Sequence, residues 1–270
     1  MKLKEASGSC PVNSSQLLHH YRHLAQQRLT VFDLETTGTH PPAARVIEVS
    51  VLHASLADGI YEQSTHLINP GVAVPAQITR FTGISQAMVD GSEAAEDVWP
   101  RYAARLAEGV LTAHNLNFDY EFSQTECRRL GLSLDRPKIE QLCTVHLARL
   151  MLADLPSRSL PHLVQHFHFP VKESHRAEAD TLACWYLAQR LLTQILEENE
   201  QRIIQRFQEE WLPLSACARL LGRSRQETHE LILEDGFDPR TSARSGSFRY
   251  RRGWAEQLVD KIGPALPLFS

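Results

Sequence analysis

The apolar run Leu29-Thr30-Val31-Phe32 leads directly into two carboxylates, Asp33 and Glu35. Such a run reads as a buried strand, and residues two apart on a strand project from one face of the sheet. Carboxylates in the middle of a sheet could not remain unpaired, because an isolated buried charge is too costly. The strand is therefore expected to end at Glu35-Thr36-Thr37-Gly38, where its carboxylates can open onto a pocket.

Residues 45–54 and 63–68 read as two more strands, with Asp58-Gly59 as the turn between them and Asn69-Pro70-Gly71 as the break that follows. Trp99, Tyr102, Ala103 and Leu106 form a helical stripe that Gly109 ends, and residues 109–114 make a short apolar strand. Asn117 is the expected cap of a helix running to Leu130 and stopped by Gly131. Further helices are expected at 144–153, 160–167 and 177–208. A first one, behind a Ser14/Ser15 cap, carries Leu17, Leu18, Tyr21, Leu24 and Ala25 at helical spacing. A three-stranded meander, then strand–helix alternation, then helices fits a mixed α/β sheet better than an all-parallel one.

Composition narrows the function. The 270 residues are 43% hydrophobic and 22% charged, enough to bury a core, which excludes wholesale disorder. A net charge of −4 excludes coating nucleic acid by bulk charge and leaves local binding open. The five cysteines form no CxxC pair, so they read as reduced thiols and not as a disulfide framework or zinc site. No apolar run approaches the ~18 residues of a membrane span, and the first residues do not read as a signal peptide. The expectation is a cytoplasmic protein with no membrane partner.

Two further acids join Asp33 and Glu35. Asp119 falls in the first turn expected after Asn117, and Asp180 in the first turns of the helix beginning near Ala177. Strand ends and helix starts can converge on one pocket. Four acids there would hold one another's protons unless cations were present, and two divalent ions roughly 3.5–4 Å apart resolve this while clamping both oxygens of a phosphodiester exchange. Oxygen donors without a cysteine partner point to Mg2+ or Mn2+. His175 and Asp180 would lie about 140° apart on one helix, so His175 belongs on the preceding loop. An imidazole placed there suits a general base.

Val31-Phe32-Asp33-Leu34-Glu35-Thr36-Thr37-Gly38, Ala113-His114-Asn115-Leu116-Asn117-Phe118-Asp119 and His175-Arg176-Ala177-Glu178-Ala179-Asp180 closely resemble the three motifs of the DEDDh exonuclease superfamily. The nearest branch resembles the proofreading epsilon subunit of bacterial DNA polymerase III and the exonuclease domain of Gram-positive replicative polymerases. The resemblance covers residues 28–195. It implies an RNase H-like, mixed five-stranded sheet flanked by helices, and 3′→5′ release of nucleoside 5′-monophosphates from single-stranded or mismatched DNA ends in proofreading or repair. It further implies that Asp33 bridges two ions, Glu35 and Asp180 complete one site, Asp119 supports the other, and His175 is the base. Thr36, Thr37 and Gly38 would hold the terminal nucleotide, with His114 and Asn115 beside it. Thr82 replaces a common histidine before Gly83-Ile84, and Cys143-Thr144 stands where relatives carry Asp-Thr. The alternatives are an RNA-trimming relative and an inactive DNA-binding or clamp-associated adaptor.

Residues 213–262 hold nine Lys+Arg against seven Asp+Glu, whereas the remainder holds 19 against 25. A helix from Leu214, a turn at Gly222-Arg223-Ser224, a second helix through Leu233, a short strand at 247–252 and a last helix to Ile262 resemble a small winged helix-turn-helix. Its second helix, or the wing Arg249-Tyr250-Arg251-Arg252, would grip a DNA backbone or a partner. The ending Ala265-Leu266-Pro267-Leu268-Phe269-Ser270 resembles a peptide that docks on the sliding clamp through Leu266, Leu268 and Phe269. The expected layout is an N-terminal extension with a helix (1–27), an exonuclease domain (28–199), a helical connector (200–212), a small mainly helical domain (213–262) and a tail (263–270), with Pro213 as the boundary after the long helix.

Overall fold

In the computed structural model, which describes residues 13–41, 43–171, 175–241 and 246–262, the chain divides into two compact units. One comprises Arg22–Leu147 and Pro156–Leu196. The other comprises, among the described residues, 13–21, Ala148–Leu155 and those from Glu197 to Ile262. The helix α1 (Ser14–Ala25) leads into β1 (Leu29–Thr36). β1 runs antiparallel to β2 (Val46–Ser55), and β2 antiparallel to β3 (Gly59–Asn69). Asp58 makes the β2–β3 turn as its sequence suggests: its N–H donates to Ser55 Oγ at 3.0 Å, and Gly59 takes a left-handed φ of 78°.

After α2 (Ala76–Thr82) and α3 (Gln86–Asp90), the two-residue β4 (Glu93–Ala94) adds parallel to β3. The crossover helix α4 (Ala95–Leu106) then returns the chain to β5 (Val110–Ala113), parallel to β1. Helix α5 (Leu116–Arg129) follows, and β6 (Gln141–Cys143) completes the order β4-β3-β2-β1-β5-β6. The mixed sheet is as expected, with six strands where the resemblance implied five. The extra edge strand, β4, is too short to show a period of two. Helices α6 (Thr144–Met151), α7 (Leu160–Phe167) and α8 (Ala177–Glu197) follow. Phe32, Leu34, Val49 and Val51 pack with Trp99, Tyr102, Leu106 and Phe122 in one core cluster. That cluster covers one face of β1 and leaves its C-terminal end as the only part of the strand that is less than fully buried.

Local chemistry shifts three helix boundaries from their expected places. Asn13 and Gln16 form the reciprocal N-terminal cap of α1, with Asn13 Oδ1 accepting from Gln16 N–H at 2.9 Å and Gln16 Oε1 accepting from Asn13 N–H at 3.2 Å. The Ser14 hydroxyl, expected to cap, instead donates to Glu256 at 2.8 Å. Helix α5 starts before Asn117, because Asn115 adopts a left-handed φ of 78° and its carbonyl accepts from Phe118 N–H. The long helix expected at 177–208 breaks at Asn199. That side chain accepts from Gln201 N–H at 2.9 Å and caps α9 (Glu200–Gln208).

In the second unit, β7 (Trp211–Pro213) precedes α10 (Leu214–Leu221) and α11 (Arg225–Glu234), which Ser224 and Glu227 open as a capping box. Then come β8 (Arg240–Thr241), β9 (Phe248–Arg251) and α12 (Arg252–Ile262). The three strands form an antiparallel sheet in the order β7-β9-β8. Leu212, Cys217, Leu221, Ile232, Tyr250 and Leu258 make its core. Leu266, Leu268 and Phe269, the candidate clamp contacts, lie outside the described residues.

Candidate active site

Asp33 and Glu35 alternate with fully buried Phe32 and Leu34 on β1, so both carboxylates leave the same face at the strand's end. Asp180 stands in the first turn of α8 and Asp119 in the first turn of α5. One carboxylate oxygen from each of Asp33, Glu35 and Asp180 lies within 4.8 Å of the others. Asp119, only 3% exposed, is outside that triad, yet among the carboxylates its charge acts most strongly on Asp33.

Burial and crowding push all four carboxyl groups upward. Burial, then the charges of Asp119, Asp180, Glu35 and Glu48, push Asp33 well above the usual carboxylate range. Burial pushes Asp119 up too, partly offset by the backbone N–H groups of Asp119 and Leu34. Glu35 is raised to about 8 by burial and by Asp180 and Glu48, against the pull of Arg176. Burial also raises Asp180, opposed by the N–H and ring of His175. Hard oxygen donors gathered at this density fit a divalent cation, whose charge relieves the repulsion.

His175 lies on the loop before α8 with a left-handed φ of 66°, and its N–H donates to Asp180 Oδ2 at 3.1 Å. Its ring packs against Phe81 at a 38° tilt, centroids 3.9 Å apart, and Phe81 is 60% exposed. Thr36 Oγ1 donates to the Gly38 carbonyl at 2.7 Å, while Thr37 Oγ1 accepts from Arg45 N–H at 2.9 Å, which ties this segment to the start of β2. His114 has both ring nitrogens engaged, with Thr144 Oγ1 at 2.9 Å and the Arg158 carbonyl at 3.0 Å. Thr144 is thus a buried anchor for His114. Thr82 likewise turns inward, its hydroxyl donating to the Ile78 carbonyl and accepting from Ile84 N–H.

Two residues beside these were not singled out from the sequence. Glu48 is 1% exposed on β2, directly opposite Glu35, and accepts from Arg176 and from Ala177 N–H. A lone acid within Val46-Ile47-Glu48-Val49 was its only local signal. Phe81 carries none, since nothing in sequence distinguishes an apolar residue facing the core from one facing a histidine.

In the second unit, the wing Arg249-Tyr250-Arg251-Arg252 divides by function. Tyr250 is core, and Arg252 is buried in a 2.6 Å pair with Glu210. Arg251 lies 4.1 Å over the Trp211 ring and pairs with Glu209 at 3.0 Å. Arg249 stands opposite Arg240 on the outer face of the sheet. Helix α11 carries one arginine, Arg225, against Glu227, Glu230 and Glu234.

Residues 30–188 match the profile of a family described as exonuclease, of the RNase T type. The PolC-type DNA polymerase III of Clostridium perfringens (strain 13 / Type A) is 30% identical over 183 residues, 67% of this chain and 12% of the polymerase. The 3′-5′ exonuclease DinG of Bacillus subtilis (strain 168) is 31% identical over 156 residues, 57% of this chain and 16% of that protein. The chain therefore spans only about an eighth to a sixth of the length of these relatives. Among solved structures, E. coli exonuclease I in complex with a dT13 oligonucleotide aligns with a TM-score of 0.57 at 16% identity, over 66% of this chain and 42% of that one. At that identity the likeness is one of fold.

Proposed function

Because this chain belongs to the exonuclease family, we propose that it is a 3′→5′ exodeoxyribonuclease that removes nucleoside 5′-monophosphates one at a time from single-stranded or mismatched DNA ends. The observation that carries this reading is the meeting of Asp33, Glu35 and Asp180 at one point, with Asp119 pressing on Asp33 from α5. No core needs four acids there; a phosphodiester cleavage site does.

Asp33, Glu35 and Asp180 would hold one Mg2+ or Mn2+ ion, and Asp33 with Asp119 a second. Together the ions supply charge to stabilise the attacking and leaving oxygens of the scissile phosphate. His175 takes a proton from the attacking water, whose oxygen bonds to phosphorus as the P–O3′ bond breaks, and the departing O3′ takes a proton from solvent to become the 3′-hydroxyl of the shortened strand. The Asp180 contact is made by the His175 backbone, so the imidazole, packed on Phe81, carries no hydrogen bond among the described residues. Thr36, Thr37 and Gly38, tied to Arg45, form the edge against which the terminal nucleotide rests. The PolC-type relatives favour a place in replication or repair beside a polymerase.

The second unit serves as a winged-helix-like, DNA-backbone-binding module through the Arg240–Arg249 face of its sheet. Three glutamates on α11 would oppose phosphate there.

A 5′-labelled single-stranded DNA and its RNA counterpart, incubated with Mg2+ or Mn2+, test the activity. DNA should shorten from its 3′ end, EDTA should stop it, and Asp33→Ala should lower the rate by at least ~10³-fold with the fold retained. Trimming of RNA alone would replace the substrate assignment. Undiminished cleavage by Asp33→Ala in EDTA would overturn the metal-dependent chemistry.

A further inference from the structure

We infer that the ion pair between buried Glu48 and partly exposed Arg176 is a positioning device that sets where α8 begins, and thereby where His175 and Asp180 stand opposite Asp33 and Glu35. The inference rests on the exonuclease reading of that site.

Glu48 sits in a strand buried along its whole length. The pair is a poor source of stability, because desolvating the Glu48 carboxylate offsets much of its attraction to the partly exposed Arg176, and an apolar side chain would pack at position 48 as well or better. Its location is worse than average for a carboxylate, since it faces the same way as Glu35 from the neighbouring strand. Its contacts indicate what it does instead. Arg176 Nε reaches both oxygens, at 3.2 and 3.1 Å, and Nη2 reaches Oε1 at 2.5 Å. Oε2 also accepts the Ala177 N–H at 2.9 Å.

Ala177 is the first residue of α8, so one carboxylate, reaching over from β2, takes up an N–H that the helix itself cannot satisfy. Asp180 N–H donates to the Arg176 carbonyl at 3.0 Å, an early backbone bond of the helix. His175 is tied in turn to Asp180. Three successive residues, 175 to 177, are thus each fastened by a hydrogen bond, two of them to Glu48. Gln63 Nε2, donating to the Glu178 carbonyl at 2.8 Å, braces the same turn from β3. A shift of the helix start by one residue would rotate Asp180 by about 100° away from β1.

The test uses the full chain with Glu48→Gln, which keeps the shape but offers one acceptor oxygen in place of two, alongside Arg176→Ala and the double variant. Three quantities are read: amide hydrogen exchange across residues 175–181 without metal, Mn2+ binding by electron paramagnetic resonance without substrate, and kcat and KM on a short oligonucleotide. Each single variant should exchange at least ~10-fold faster in the first turn of α8, bind Mn2+ ~10–100-fold more weakly and lose kcat by a similar factor, with KM little changed. The double variant should be no worse than either single one. A lower melting temperature with unchanged exchange and unchanged Mn2+ affinity would overturn the inference and leave a merely structural pair. If Glu48→Gln does not fold, Arg176→Lys, which changes a partly exposed side chain and cannot form the fork, carries the same readouts. A wild-type chain that neither binds Mn2+ nor cleaves DNA would sink the exonuclease reading, and the exchange rates would still decide the positioning.

Discussion

Glu35→Gln should make the metal-free protein more stable, by an amount that grows with pH. An ordinary glutamate releases its proton near 4.5, whereas in the folded chain Glu35 keeps it to about 8. Below about pH 4.5 the carboxyl is protonated in both states, and its environment carries no penalty. Between 4.5 and about 8 the unfolded chain has lost a proton that the folded chain still holds, so stability falls as pH rises. Above about 8 both states are ionised and the full penalty stands. At about 1.4 kcal/mol per pH unit the window bounds the loss at about 5 kcal/mol. Glu35 keeps part of its surface in water, which screens the charge, so a measured gain of about 2–3 kcal/mol is expected for the amide at pH 9.

The assay is urea unfolding in EDTA at several pH values from about 4.5 to 9, wild type against variant. The two curves should meet at the acid end and separate steadily above it. Adding millimolar Mg2+ or Mn2+ should then stabilise the wild type more than the variant, because only the folded wild type offers the complete set of ligands. A stability difference that stays constant across the whole pH range would refute the reasoning, as would a variant less stable than wild type at pH 9 in EDTA.

Gly109 has φ +53°, and a Cβ built on it would lie 2.5 Å from the Arg28 carbonyl oxygen, where β5 joins β1. Gly109→Ala should therefore cost about 2–3 kcal/mol, measured as a lower melting temperature, through strain and steric conflict together. Arg249→Glu should weaken binding of single-stranded DNA in EDTA and make the dependence of log K on log salt shallower by about 0.7 or more. Tighter binding on removing the Glu230 charge of α11, with Arg249→Glu without effect, would point to the helix instead.

Much of the molecule was legible in sequence because its signals are local. Asp33 and Glu35 could be assigned to one sheet face from the period of a strand alone. Asp58-Gly59 marked the β2–β3 turn through the left-handed backbone that glycine accepts. The five-position offset from His175 to Asp180 was enough to place the histidine off the helix, and it lies on the loop before Ala177. Helix starts were read less well at Ser14 and Asn117, since several polar residues at each site can cap and the choice rests on which backbone geometry forms. A two-residue strand such as β4 has no pattern to read.

The sequence by itself determined most of the elements and their order, and set Asp33 and Glu35 on one face of β1, because repeat periods act within short stretches. The tertiary structure alone decided what those residues do to one another. Glu48 and Arg176, 128 positions apart, meet only after β2 and α8 come together. Phe81 lies against His175, and His114 is taken up by Thr144 and Arg158, for the same reason. In the second unit, the pairing of β7, β8 and β9 leaves Arg249 and Arg240 on the outer face and turns Tyr250 inward, while Arg252, opening α12, is buried against Glu210. Contacts between distant segments depend on how packed elements place their side chains, and no local pattern encodes that.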